Sequence, residues 1–178
     1  LFARDFPIAI LRKKGETKPS LILTGQHAKS KRDRPGDPES KIWRSAEFKA
    51  KAEIINKLKT EFPGVTIVTG GDFNTEVRSS ASQGSELGPI ARIMKDAFDI
   101  AARAPKPSER ITHSYFPREE PGQVHRQQMD TIMVDLGEGA EVLSAQVVQY
   151  KNANGGLMRL PRTYQERSQQ PSDHNPVS

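Results

Sequence analysis

The sequence predicts a single α/β domain, and three observations carry that expectation. Short apolar runs rich in β-branched residues recur along the chain, one long helical pattern separates two of them, and groups of Asp, His and Asn stand at the run ends. A chain of 178 residues suits one domain, whose core can bury roughly two-thirds of the surface that the unfolded chain exposes. Residues 1–178 are therefore read as one unit.

Phe6–Leu11 and Leu21–Thr24 are short apolar runs separated by the polar stretch Lys13–Glu16, the pattern of two strands and a hairpin-like turn in one sheet. Residues 31–41 turn to charge, Pro and Gly, which reads as a long surface loop soon after His27. Trp43, Ala46, Ala50, Ile54, Leu58 and Phe62 recur at three- and four-residue spacing, which predicts an amphipathic helix over 43–62, ended by Pro63-Gly64. Val65–Val68 is β-branched and nearly continuous, as suits a strand buried on both faces, and it delivers Gly70-Gly71-Asp72-Phe73-Asn74 at its end. A second helix is expected from Pro89 to Phe98, a short strand from Thr112 to Phe116, and strands at Asp130–Val134 and Val142–Tyr150. Loops flank the Thr112–Phe116 strand through residue 128, and a polar stretch from Lys151 to Pro171 leads into Ser172-Asp173-His174.

Composition narrows the function classes. Without cysteine there is no disulfide framework, no thiolate metal site and no cysteine nucleophile. The longest apolar runs fall far short of the ~20 residues that cross a bilayer, so the expectation is a soluble chain, with secreted and cytoplasmic compartments both open. The apolar share of 34% points to a thin core. The net charge of +5 is uneven, with basic clusters at 12–14 and 29–34 that read either as solvated surface or as phosphate contacts. The chain opens on Leu1 without Met and stops at Asn175–Ser178 within an apolar-tending run, which reads as a piece of something longer.

Four polar sites stand at predicted strand ends: Gly25-Gln26-His27, Gly71-Asp72-Phe73-Asn74, Met129-Asp130 and Ser172-Asp173-His174. Strand ends are where a rigid scaffold presents reactive groups. Together they supply two imidazoles, three carboxylates and a carboxamide, a set suited to binding Mg²⁺ through oxygen and to moving protons near neutral pH.

"TGQHAKSK" (24–31), "IVTGGDFN" (67–74), "QMDTIMV" (128–134) and "PSDHNPV" (171–177) resemble, in order and approximate spacing, the later motifs of the endonuclease/exonuclease/phosphatase superfamily. The resemblance spans nearly the whole chain. It implies a two-sheet α/β sandwich of the deoxyribonuclease-like type, of which this chain is the C-terminal two-thirds, with an active site between strand ends and Mg²⁺ or Mn²⁺ as cofactor. The stretch from "HAKSK" to "GDFN" is most similar to the bacterial extracellular nucleases, which makes nucleic acid the expected substrate.

The resemblance also assigns roles. His174 matches the histidine that polarises the attacking water or contacts the scissile phosphate, and Asp130 the carboxylate that holds that imidazole. His27 matches the histidine near the leaving-group oxygen. Asp72 would orient the water or bind metal, Asn74 would donate to a phosphate oxygen, and Asp173 would ligate the metal or support a ligand. Arg4, Lys29 and Lys31 are the expected phosphate contacts. His113 and His125 read as ordinary polar residues. Thr131 stands where the family usually has Tyr, which is expected to loosen packing beside His174.

The family's early Asn and its principal metal-ligating Glu have no match here. The missing N-terminal segment, present as a second piece, is therefore an expected partner. The readings in play are a divalent-metal phosphodiesterase acting on DNA or RNA, a phosphoesterase of the same fold acting on a phospholipid or phosphorylated small molecule, and an inert homologue that binds nucleic acid or protein.

Overall fold

A computed structural model describes residues 2–80 and 85–178. Its main sheet has five strands. β1 (Ile8–Leu11) and β2 (Leu21–His27) form the expected antiparallel pair. β3 (Thr66–Asp72) lies parallel to β2, a pairing that needs a crossover, and helix α1 (Lys41–Glu61) provides it. β7 (Asp130–Asp135) returns antiparallel beside β3, and the short β4 (Lys95–Asp96) pairs with its far edge.

The α1 helix buries a different face from the one its apolar spacing predicts. Its buried residues are Arg44, Glu47, Phe48, Lys51, Ala52, Ile55 and Leu58, whereas Ala46 is exposed and Ala50 and Ile54 are half-buried. Three charged side chains thus lie on the inner stripe, and each has partners. Arg44 donates to Glu86 (3.0 and 3.3 Å) and to the carbonyls of Glu39 (2.6 Å) and Lys29 (3.2 Å). Glu47 accepts from the backbone of Ala3 (2.6 Å) and Lys29 (2.8 Å), and Lys51 donates to Gln26. Buried charge is tolerated only when paired in this way.

The helix begins where Asp37 accepts from the N–H groups of Ile42 (2.7 Å) and Trp43 (3.1 Å), filling donors that have no partner inside the helix. The preceding loop is likewise tied, with Ser40 Oγ donating to Arg32 O (2.6 Å) and Glu39 N to Asp33 (2.8 Å).

The core lies between α1 and the sheet, where Ile22, Ile67, Met133, Phe48, Ile55 and Phe73 pack together. The opposite face of β7 presents Ile132 to a second cluster built on Phe98, Ala101 and Ala145 with Val142, Val147 and Val177. Val147 and Val177 tie that cluster to a second β layer. Its ladder is β5 (His113–Tyr115) with β6 (His125–Gln127), extended by bridges from His113 to His174 and from Val147 to Val177.

Several local expectations are corrected. Pro89–Phe98 is not one helix: single turns α3 (Gly88–Ala91) and α4 (Ala97–Ile100) flank β4. Lys95 and Asp96 pair with β7, and the Asp96 carboxylate caps Phe98 N (2.9 Å), so tertiary pairing overrides the local period. Ile90, Met94 and Phe98 are nonetheless buried. Val142–Tyr150 is held by isolated bridges and by the Gln146–Ser178 and Val148–Pro176 hydrogen bonds rather than as a continuous strand. The loop before Gln128 contains β6, and the polar stretch contains α5 (Tyr164–Ser168). A further turn, α2 (Val77–Ser80), follows the Asp72–Asn74 segment.

Candidate functional site

Register across the main sheet brings the motifs together. His27 at the end of β2 is paired with Asp72 at the end of β3, and Asp72 with Asp130 at the start of β7. Because β2 and β3 are parallel and β7 antiparallel, three distant sequence segments end at one edge. The second β layer adds the fourth: His174 Nδ1 lies 2.6 Å from Asp130 Oδ2.

The Gly70-Gly71 step makes this approach possible. Gly71 has φ +136°, and a Cβ there would lie 2.0 Å from the Gln26 carbonyl oxygen, so β2 and β3 close together only around a bare backbone. Beyond it, Asn74 sits at φ +51°, a left-handed position that Asn tolerates. Its backbone N–H donates to Asp72 Oδ1 (2.7 Å), and its amide nitrogen donates to Asp72 Oδ2 (2.9 Å) and to Ala28 O (2.9 Å). Both amide hydrogens are thus committed within the fold, and in this arrangement Asn74 orients Asp72 rather than presenting a free donor to phosphate.

The electrostatics follow from this crowding. Burial pushes the Asp72 carboxyl above the usual carboxylate range, and Asp130 adds to the effect; the Asn74 N–H, His174 and His27 oppose it without cancelling it. Burial alone would pull the His174 imidazole down. The hydrogen bond that His174 donates to Asp130, with the charges of Asp130, Asp72 and Asp173, outweighs that and holds it above the usual histidine range. His27 is half-exposed, with Nε2 3.6 Å from Asp72 Oδ2.

His174 is fixed from other directions as well. Its N–H donates to Ser172 Oγ (3.1 Å) and its carbonyl accepts from Tyr150 OH (2.8 Å). Thr112 Oγ1 accepts from Met129 N (2.9 Å) and Asp130 N (3.0 Å), holding the start of β7 against the second layer. Thr131, expected to loosen packing, is fully buried and donates to Asp96 (2.7 Å).

Two groups of side chains that could hold a metal meet at His174: Asp72 with Asp130, and His113 with Asp173. Asp173 therefore stands with His113 rather than in the Asp72 group, and it pairs with Arg167 at 3.1 Å. Neither group contains a glutamate among the described residues. His113, read as an ordinary polar residue, lies with its ring centroid 4.6 Å from that of His174, and burial pulls its imidazole down to about 4. Nothing in its sequence neighbourhood signals this, because the contact depends on the bridge between β5 and the 173–175 segment. His125 pairs with Glu120 in solvent, as an ordinary surface residue does.

The expected phosphate contacts are spread more widely. Lys29 places its ammonium 5.6 Å over the Trp43 ring, and Lys31 is half-exposed in the 29–40 loop. Arg4 is exposed, one residue after the Ala3 N–H that Glu47 holds. Since Glu47 also holds Lys29 N, one carboxylate ties the segments bearing Arg4 and Lys29 together.

The sequence matches no protein-family model and no curated protein. The fold, by contrast, recurs in solved structures. Truncated Caenorhabditis elegans TDP2 superimposes with TM-score 0.58 at 13% identity, over 98% of this chain and 64% of that one. An endonuclease/exonuclease/phosphatase from Bacteroides vulgatus gives 0.51 at 20% identity, over 96% and 52%. This chain has the endonuclease/exonuclease/phosphatase fold. D. rerio TDP2 complexed with single-strand DNA product gives 0.53 at 17% identity, over 96% and 58%. The chain thus spans between about half and two-thirds of the length of these structures. The α/β architecture expected from the motifs is the one observed, with the second sheet present as a broken ladder.

Proposed function

We propose that this chain carries the hydrolytic centre of a divalent-metal-dependent phosphodiesterase acting on nucleic acid. The observation that carries the reading is the convergence of Asp72, Asp130 and His174 from two β layers, with His174 held to Asp130 at 2.6 Å. The single-strand DNA product in D. rerio TDP2, a protein of the same fold, supports nucleic acid as the substrate class.

The residues fit a hard divalent cation. Two carboxylates stand side by side, burial and mutual repulsion raise the cost of charging Asp72, and Mg²⁺ takes one or two carboxylates while keeping several waters. Asp72 and Asp130 would hold it, and when bound it would supply charge stabilisation at a phosphoryl oxygen. Asp130 accepts from His174 Nδ1–H and fixes the tautomer, so Nε2 is the atom that takes a proton from the attacking water. Half-exposed His27, on the other side of Asp72, donates a proton to the leaving oxygen. Asn74 keeps both Asp72 oxygens oriented. Arg4, Lys29, Lys31 and Asp173 complete the reading as phosphate contacts and supporting carboxylate.

The test is plasmid nicking and oligonucleotide cleavage with Mg²⁺ or Mn²⁺, with excess chelator, and across a salt series. Cleavage should vanish in chelator, and His174→Ala should lower kcat by about 10²–10⁴. Binding should weaken with salt, each phosphate contact adding about 0.7–0.9 to the log–log slope. Full activity in chelator, or wild-type kcat in the His174 variant, would sink the proposal. A flat salt response would turn the substrate toward a phospholipid or small phosphoester.

A further inference from the structure

A second set of metal-ligating groups meets at the same histidine. His113, Asp173 and His174 each offer one ligand atom, and these atoms lie within 4.8 Å of one another. The fold assembles them: β5 carries His113, an isolated bridge pairs His113 with His174, and Asp173 precedes His174 in the chain. With Nδ1 tied to Asp130, His174 keeps Nε2 for a lone pair, and a carboxylate behind a histidine is the arrangement that orients imidazole ligands of transition metals. His113 Nδ1 is buried without a hydrogen-bond partner. Asp173 is half-exposed and held by Arg167 in a solvent-facing ion pair, so its carboxylate can swing inward.

The donor set differs from that of the Asp72 pair in kind. Two imidazoles and one carboxylate suit Zn²⁺, Co²⁺ or Ni²⁺, whereas Mg²⁺ seeks oxygen. Zinc bonds of about 2.0–2.2 Å require the three atoms to draw in, and they leave a fourth position for solvent. We propose that His113, Asp173 and His174 form a separate site for a zinc-class ion, and that filling it withdraws His174 from hydrolysis. The site itself stands on the geometry alone; its inhibitory effect rests on the hydrolytic reading above.

Zinc uptake by the metal-free protein is measured by calorimetry and by competition with a colorimetric indicator. One ion per chain is expected. His113→Phe keeps an aromatic ring against His174 and should weaken zinc binding at least tenfold, with folding checked by circular dichroism. Asp173→Asn, at an exposed position, serves as the second variant and should weaken it too, while Asp72→Asn, which removes a charge near His174 but no ligand of this site, should change zinc affinity less than either. Unaltered zinc affinity in both His113→Phe and Asp173→Asn overturns the site, as does a loss in Asp72→Asn equal to theirs, which moves the ion to the Asp72–Asp130–His174 group. In Mg²⁺-supported cleavage, zinc should slow the wild type, and His113→Phe should need at least tenfold more. Bound zinc with cleavage at full rate overturns the competition. Zinc binding as expected in a protein that cleaves no phosphodiester leaves this site standing and removes the hydrolytic reading alone.

Discussion

Replacing Asp130 by Asn tests the central pair directly. The substitution keeps the shape of the side chain and removes the charge that lies 2.6 Å from His174 Nδ1. Both side chains are largely shielded, with 26% and 14% of their surfaces exposed, so solvent screens the interaction incompletely. A neighbouring carboxylate typically moves a pKa by about 1–3 units, or about 1.4–4 kcal/mol of differential interaction. Because burial by itself pulls His174 down, the variant should titrate well below the wild type, with Asp72 and Asp173 offsetting only part of the loss.

The sign of the stability effect follows. In the wild type the raised imidazole binds its proton more tightly folded than unfolded. That stabilisation is fully present below the unfolded value and is lost as pH rises through the folded one. The stability gap between wild type and Asp130→Asn should therefore be wider at about pH 5.5 than at about pH 8.5, on either side of the ordinary histidine value. NMR titration of the histidine ring protons in metal-free protein, assigned with His174→Gln, reads the shift, and urea unfolding at the two pH values reads the gap. An unshifted His174, or a gap equal at both pH values, would refute the account.

Two further substitutions test the scaffold by chemical denaturation. Gly71→Ala should cost more than about 3 kcal/mol, since its Cβ would sit 2.0 Å from Gln26 O at a φ of +136°, whereas Gly122→Ala, with nothing within 4 Å, should cost about 1–2 kcal/mol of backbone strain alone. Equal losses at the two positions would mean that the close approach of β2 and β3 is wrong. Arg44→Met should cost about 3–5 kcal/mol by leaving the Glu86 carboxylate without its guanidinium, and adding Glu86→Gln should recover part of it. A near-neutral Arg44→Met would show that the buried network contributes little.

The sequence by itself determined the elements that rest on local pattern. The β-branched Val65–Val68 run reads as a strand buried on both faces and the 43–62 spacing as an amphipathic helix; their observed bounds are Thr66–Asp72 and Lys41–Glu61. It also named His27, Asp72 and Asp130, which fall in short motifs at the ends of β2, β3 and β7, whereas His174, expected at a strand end, is held by an isolated bridge to His113. The short helix inside the 151–171 stretch, which reads as polar loop, is started by Thr163 Oγ1 accepting from Glu166 N (3.1 Å) and by Glu166 accepting from Arg162 N (2.7 Å).

Tertiary structure alone decided the rest. Which face of α1 turns inward depends on partners outside the helix, 5 to 44 residues away for Arg44, Glu47 and Lys51, and apolar spacing does not contain them. The 89–98 segment is broken into two turns where Lys95 and Asp96 pair with β7, a partner that the local period does not contain. His113 became a neighbour of His174 through a bridge between segments 61 residues apart, since an imidazole's chemistry is set by what the folded chain places beside it. The division of carboxylates has the same cause: strand register sets Asp72 against Asp130, while the second layer leaves Asp173 with His113 and Arg167.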